Sequence, residues 1–445
     1  MISMVPKLHV LTGSAASRNL AQLRALGVDP SERFVRISVT VEPSPSAGRW
    51  LMATALVDML LRLDPLVGEV IFEAPGMDEG AMAEELAIRL PLVVGTPEHT
   101  PDFSVGVGHV TREVDLLVDA AGWVITIGGD TSTIDDGNPI GPLAGAALAA
   151  AEVFKWAFEY VYPERKSLLE MVPWRGTFSF YSYNADNASP TIDNVQIAAT
   201  LVGVGGVGAG FIRVIAAMGD RVSGYLDLVD EDILTTDNLN RVTFATLDSA
   251  ISGVKKVTEA KALLRECCPN LTVNGFAQTF DSFKQRTPLR ANRVYNVIVT
   301  GLDDDEVRWE VQRDLPRILI DGSTGSDMVA RVERVEFGRY GCLGCSRRGF
   351  AAPTDEPINC DAPPDDHAPS LSFLSSFPGF LAAGELIKEA MDNGSLRGQF
   401  DHVFRYGPNP DLNGTPAIRP DCHAGCGNPS KLTQYREKYP NEIFR

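Results

Sequence analysis

The sequence predicts an α/β protein in two parts, a Rossmann-like half with a mixed sheet at residues 196–445 and a smaller α/β domain at 1–165 ahead of it. Three observations point there. An apolar run, Ile197 to Val202, breaks into Gly203, Gly205, Gly206 and Gly208 and then into a helical pattern from Ala209, which reads as buried strand, tight turn and helix. Residues 1–165 alternate short apolar runs with helical periodicity but have no glycine turn of that kind. A chain of 445 residues is also too long for one ordinary core.

In the first part, strands are expected over Arg33 to Val41, Gly68 to Glu73, Phe103 to Gly108, Leu116 to Asp119 and Trp123 to Ile127. Helices are expected over Gly48 to Leu63, Glu79 to Leu90 and Pro142 to Phe158. The last of these ends in Glu152-Val-Phe-Lys155, and a second small-residue-rich helix starting at Pro378 ends in Glu385-Leu-Ile-Lys388, so a faint internal repeat is expected. An unrelated appended α/β domain is the alternative. Residues 166–195, rich in Ser, Asn, Asp and aromatics, read as a linker.

The glycine turn lets a phosphate approach backbone N–H groups at the positive end of the following helix. A strand from Tyr225 to Val229 ends on Asp230, about 22 residues past the last glycine, where a carboxylate can accept hydrogen bonds from ribose hydroxyls. So far the pattern means only nucleotide and fits an NAD-dependent oxidoreductase equally well. Beyond it, Asp232, Asn238 and Arg241 add a carboxylate, an amide and a guanidinium at a place where a dehydrogenase has no triphosphate to hold. Further on, Tyr295 to Thr300 reads as a strand leading into Asp303, Asp304 and Asp305. Carboxylates at a strand C-terminus suit Mg²⁺, while an N-cap for a helix from Glu306 to Leu315 explains Asp305 alone. A strand from Arg317 to Asp321 follows.

Cys342-Leu-Gly-Cys345 and Cys422-His-Ala-Gly-Cys426 are close pairs able to supply four thiolates to a structural zinc knot, with His423 a competing ligand and unmetallated thiols the alternative. Cys267 and Cys268, at a helix end, read as buried hydrophobes. Cys360 is left over in a Pro- and Asp-rich loop, about 356–377, whose composition suits an exposed thiol; Asp361, Asp365 and Asp366 would raise its pKa unless His367 or an arginine intervenes, and a bystander surface cysteine is the alternative.

From Asp230 to Arg241 the chain resembles the ubiquitin-activating superfamily, which includes the ThiF, MoeB and HesA adenylyltransferases, with Asp237 and Val242 departing from the usual pattern. The resemblance implies an ATP-dependent enzyme that adenylates the C-terminal tail of a ubiquitin-like or sulfur-carrier protein. It implies that Lys256, in Gly253-Val-Lys-Lys256-Val, meets the triphosphate, and that Asp303 takes a Mg²⁺-associated role. It further implies that Arg18, in Ser17-Arg18-Asn19-Leu20, reaches a partner half's phosphates, and that Cys360 sits on the crossover loop as the thioester-forming nucleophile that hands on to a conjugating protein. Larger members pair an active half with a degenerate copy, so either a monomer of two fused halves or a homodimer is expected. Antiviral conjugation systems are a setting the resemblance suggests. A scaffold or an adenylating enzyme with no thioester step is the other alternative.

The net charge of −18 argues against a nucleic-acid partner. No stretch has the length of a membrane span, the N-terminus lacks the apolar core of a signal peptide, and a cytoplasmic location is expected.

Overall fold

Alternating β and α patterns can bury their apolar faces only by layering helices on sheets, and in this chain that happens twice. The computed structural model describes residues 1–6, 19–20, 23, 34–76, 78–90, 92–129, 135–163, 175–183, 190–286, 297–325, 328–336, 341–346, 371–391, 400–405, 412–414 and 428–439. The first eight-stranded sheet is built from β1 (Ile2–Pro6), β2 (Val35–Val41), β3 (Val67–Glu73), β4 (Leu92–Gly95), β5 (Phe103–Val107), β6 (Leu116–Ala121), β7 (Val124–Ile127) and β8 (Gly176–Ser179), in the order 4-1-3-2-5-6-7-8. The second contains β9 (Val195–Val202), β10 (Val222–Val229), β11 (Leu271–Phe276), β12 (Val297–Thr300), β13 (Ile318–Gly325), β14 (Val329–Val335), β15 (Phe400–Arg405) and β16 (Leu412–Gly414), in the order 11-10-9-12-13-14-15-16.

Six neighbouring strands of one sheet run as their counterparts do in the other. β3-β2-β5-β6 and β10-β9-β12-β13 are parallel throughout, and each is closed by two antiparallel strands, β7-β8 and β14-β15. Helix placement follows the same rule. α1 (Ala47–Leu61) leaves the end of β2, and α2 (Ile140–Val161) follows β7. In the second half α3 (Gly206–Met218) leaves the end of β9, and α4 (Lys256–Cys267) and α5 (Asp305–Arg313) precede α6 (Ser372–Ala390), which follows β14. α1 packs on α2, α3 on α6, and α2 on α6, so one hydrophobic core runs through both halves. The expected Glu-x-x-Lys ends are buried ion pairs in both central helices, Glu152 with Lys155 and Glu385 with Lys388.

Burial on all sides explains the composition of α6, because a helix with no wet face has no use for an amphipathic stripe. Phe373, Phe377 and Phe380 are fully buried, and truncating one to Ala should cost about 3–5 kcal/mol. The helix starts six residues before Pro378, which lies inside it. A proline there withdraws one N–H from the ladder, and the sequence signal for a helix start at Pro378 therefore misplaces the boundary. A Cβ on Gly379 would run into the Val207 carbonyl, so α3 and α6 meet backbone to backbone.

β8 and the turn after it lie within the segment read as a linker. Phe180 and Tyr181 accept hydrogen bonds through their carbonyls from the buried Lys388 ammonium, and Tyr183 donates to Glu385 at 2.6 Å. The turn after β8 is therefore packed against the second half. Cys268 is buried as expected, its thiol donates to the Ile215 carbonyl at 3.2 Å, and burial pushes it up to about 12. Among the described residues no helix is long and apolar enough to cross a membrane.

Candidate active site

The site lies where strand order reverses, between β9 and β12, the crevice in which open α/β sheets admit ligands. Gly203 directly follows β9 at φ 90°, a conformation that strains any side chain, and a Cβ there would sit 2.7 Å from the Gly301 carbonyl. Gly205 caps the helix, and a Cβ on it would meet nothing within 4 Å. α3 starts at Gly206, three residues before the expected start. Its N-cap, Gly205, has no side chain to bond the first N–H groups, which leaves donors and the positive end of the helix dipole at the turn.

Asp230 holds the turn from beside it. Its carboxylate accepts from Val204 N at 2.6 Å and from Asp232 N at 2.8 Å. Burial raises its pKa, against the opposing pull of the Lys256 ammonium. Lys256 is nearly buried as the first residue of α4, and its ammonium lies 2.7 Å from the exposed Asp232 carboxylate. A cation at a helix N-terminus opposes the dipole and needs an anion beside it.

Arg241 arrives from a short 3₁₀ turn, Thr236–Asn240, in which Asn238 accepts from Thr235 N at 3.2 Å to close the cap. Its guanidinium donates to the Asp237 carbonyl at 3.0 Å and to Asn240 Oδ1 at 2.8 Å. Its Cγ lies 3.4 Å from the position a Cβ on Gly206 would take, so Arg241 lies over the glycine turn. Ser375 of α6 closes the same spot, its Cβ 2.8 Å from that position.

The loop after β12 abuts the turn through Gly301, and Asp303 follows it, exposed. Asp304, and not Asp305, is the N-cap of α5, accepting from Glu306 N at 2.7 Å; Asp305 instead pairs with Arg308 at 2.6 Å. The correction is local, since a residue at an N-cap must stand just outside the helix. Arg308 also donates to the Leu302 carbonyl and, at 3.1 Å, to Asp321, which accepts from Thr300 at 2.5 Å.

Cys342 and Cys345 are buried in a second core cluster near Tyr435, and the Cys345 N–H closes a turn on the Cys342 carbonyl at 2.8 Å. Cys422, Cys426 and His423, like Arg18 and Cys360, lie outside the described residues. Among the described residues no three His, Cys, Asp or Glu side chains gather to hold a metal ion.

Sequence reasoning missed Asp58, Arg62 and Arg213. A carboxylate and a guanidinium four apart inside the otherwise apolar Ala53-Thr-Ala-Leu-Val-Asp58-Met-Leu-Leu-Arg62 were the available signal, since charges on an apolar face must pair.

Residues 191–388, which span the glycine turn, Arg241, Lys256, Asp303 and α6, match the ThiF family. That segment is a ThiF domain. It belongs with the ubiquitin-activating-like adenylyltransferases that the sequence resembles, enzymes acting on ATP. No curated protein matches the chain. Among solved structures it is similar to E. coli MccB with ATP, at a TM-score of 0.40 and 15% identity over 70% of this chain and 98% of that one. MccB, a microcin C7 biosynthetic enzyme, in complex with N-formylated MccA gives 0.41 and 15%, over 69% and 97%. PaaA gives 0.36 and 16%, over 50% and 73%. The ThiF domain takes in all of the second sheet's parallel core, and the sheet continues past it through β15 and β16.

Proposed function

We propose that the chain uses ATP to adenylate the C-terminal carboxylate of a ubiquitin-like or sulfur-carrier protein. The observation that carries this reading is the convergence of two cations on an open glycine turn inside a ThiF domain: Arg241 over Gly206, and Lys256 beside Asp230 and Asp232. A dinucleotide oxidoreductase has no use for that pair.

A carboxylate is a poor acyl donor because its leaving group would be oxide. In the proposed reaction a carboxylate oxygen of the tail forms a bond to the α-phosphorus, the bond from that phosphorus to the β-bridging oxygen breaks, and pyrophosphate leaves with the electron pair. Charge grows on the β- and γ-phosphoryl oxygens, where Arg241 and Lys256 neutralise it, while the α3 N–H groups at Gly205 and Gly206 orient the chain of phosphates. Lys256 would exchange its partner Asp232 for the triphosphate, freeing a carboxylate for ribose or metal. Asp303, an exposed carboxylate, would hold Mg²⁺, whose contribution would be further charge neutralisation.

Cys360 would then attack the acyl-adenylate carbonyl as a thiolate, forming a thioester as AMP leaves, with a conjugating protein as the next acceptor. Cys342 and Cys345, on their closed turn, would supply half of a structural zinc site, and Cys422 and Cys426 the rest. Arg18 would add a cation from the first half. The matching strand orders of the two sheets support reading residues 1–165 as a degenerate adenylation domain fused to an active one, giving a monomer with internal two-fold likeness.

The test is ATP–pyrophosphate exchange and intact mass of the full chain incubated with Mg·ATP and a candidate carrier. Carrier-dependent exchange that disappears in Arg241→Ala and Lys256→Ala is expected, and exchange indifferent to both would overturn the reading. A carrier adduct cleaved by thiols and absent from Cys360→Ala supports the thioester step; an adduct that survives the substitution refutes Cys360. Metal analysis giving one zinc per chain, lost in Cys342→Ser, is expected.

A further inference from the structure

We infer that Asp58 and Arg62, in the first half, are positioning residues for Arg241 in the second, so that the first half sets the grip of the other on a triphosphate; this deepens the adenylation reading and rests on it. Asp58 lies on α1 and Arg62 caps its C-terminal end, one turn on, and both are fully enclosed, with 0% and 1% of the residue exposed. Arg62 Nε donates to Asp58 Oδ1 at 3.0 Å. Its two terminal nitrogens leave the first half altogether, Nη1 donating to the Leu239 carbonyl and Nη2 to the Thr243 carbonyl at 3.4 Å.

Those carbonyls stand two residues to either side of Arg241. The segment between them comes off a 3₁₀ turn and is not helical, with Arg241 at φ −143°; its own backbone bonds there, from Arg241 N at 3.0 Å and Val242 N at 2.8 Å, both end on the Asn238 carbonyl. A planar guanidinium that spans the carbonyls on either side of Arg241 adds a second hold, from outside. The other oxygen of Asp58 accepts from Arg213 Nη1 at 2.6 Å, and Arg213 lies on α3, the helix that opens with the glycine turn. One buried carboxylate thus ties together the two walls of the candidate site.

A second path runs parallel. Asn19 Nδ2 donates to the carbonyls of Arg62 at 2.9 Å and Asp64 at 2.6 Å, while Asn19 Oδ1 accepts from Asn240 Nδ2 at 3.1 Å. Asn240 Oδ1 is in turn an acceptor for Arg241 itself. Buried ion pairs add little net stability compared with apolar residues of the same volume. What no apolar side chain can reproduce is a rigid fork that fixes a carboxylate and two carbonyls at once.

The experiment titrates the full-length chain with Mg·ATP and, separately, with AMP, by calorimetry. AMP lacks the β- and γ-phosphates that Arg241 is proposed to meet. Arg62→Lys and Asp58→Asn should weaken ATP about tenfold, the scale of one lost charge-assisted hydrogen bond, and leave AMP unchanged. In an Arg241→Ala background neither should weaken ATP further. Asn19→Ala, which breaks the second path without stranding a buried charge, should shift ATP in the same sense and keeps the test standing if the charge variants do not fold. Native ATP affinity in all three variants, an equal loss for AMP, or a loss that adds fully to that of Arg241→Ala would overturn the inference. A native chain that binds no ATP, or an Arg241→Ala protein that binds it undiminished, would instead sink the adenylation reading itself.

Discussion

The same place in the two sheets is filled in one and open in the other. After β9 the chain turns on Gly203, and among the described residues a Cβ on Gly205 would meet nothing within 4 Å. After β2 the corresponding residue is Glu42, and Arg49, two residues into α1, bridges it at 2.7 Å to Asp119, which accepts bidentately at 2.8 Å from Nε and Nη2. Asp119 and Asp321 both stand fourth in their strands and both are fully buried, yet one is bound to Arg49 at the strand-to-helix turn and the other to Arg308 and Thr300. The first half has closed its switch point with its own ion pairs, and the second has left backbone donors there. Strand order alone therefore does not tell which half handles nucleotide; the residues that follow the first strand do.

The largest effect belongs to the open site: Arg241→Ala or Lys256→Ala should cut exchange by roughly 10²–10³, the range for removing one charge-stabilising group. Next is the closed one. Arg49→Ala strands Glu42 and Asp119 and should cost about 3 kcal/mol in denaturant titration, while nucleotide stoichiometry stays at one per chain by calorimetry. Two nucleotides per chain would erase the distinction between the halves.

A smaller effect comes from Asp64 at the end of α1. Its carboxyl is buried, one oxygen lacks a hydrogen-bond partner among the described residues, and burial pushes it up to about 6. A carboxyl raised in the folded state binds its proton more tightly there than when unfolded, so stability falls as pH rises from its ordinary value through about 6. Asp64→Asn should flatten that slope and add roughly 2 kcal/mol at neutral pH, measured by urea titration across the interval. The smallest effects separate two glycines of the turn. Gly203→Ala forces a left-handed residue and should cost about 1–2 kcal/mol. Gly205→Ala should leave stability within about 0.5 kcal/mol and yet reduce ATP affinity, since its Cβ would meet no atom of the described residues within 4 Å.

Much of this was legible before any coordinates. Five strands of the first half, and the strand from Ile197, the glycine turn at Gly203 and the helix after it, follow from periodicity and glycine placement, because these are local properties. Pro378 misled as a helix start because a buried helix can be held by its neighbours despite a missing N–H. The polar, aromatic stretch read as a linker contains β8, since four residues pairing at a sheet edge leave too short a pattern to stand out. The Asp58–Arg62 pair was visible as a pair, but its acceptors lie some 180 residues away, and no local pattern encodes them. The closing of the first switch point was equally hidden, because Glu42, Arg49 and Asp119 meet only after three strands are in register.

The contact between α2 and α6 has a consequence for how the molecule comes apart. Each helix is the other's shelter from water, so neither sheet with its helices would present a wettable surface if released alone. A protease nick between β8 and β9 should leave two fragments clasped as one particle, and heating should melt them together in a single step.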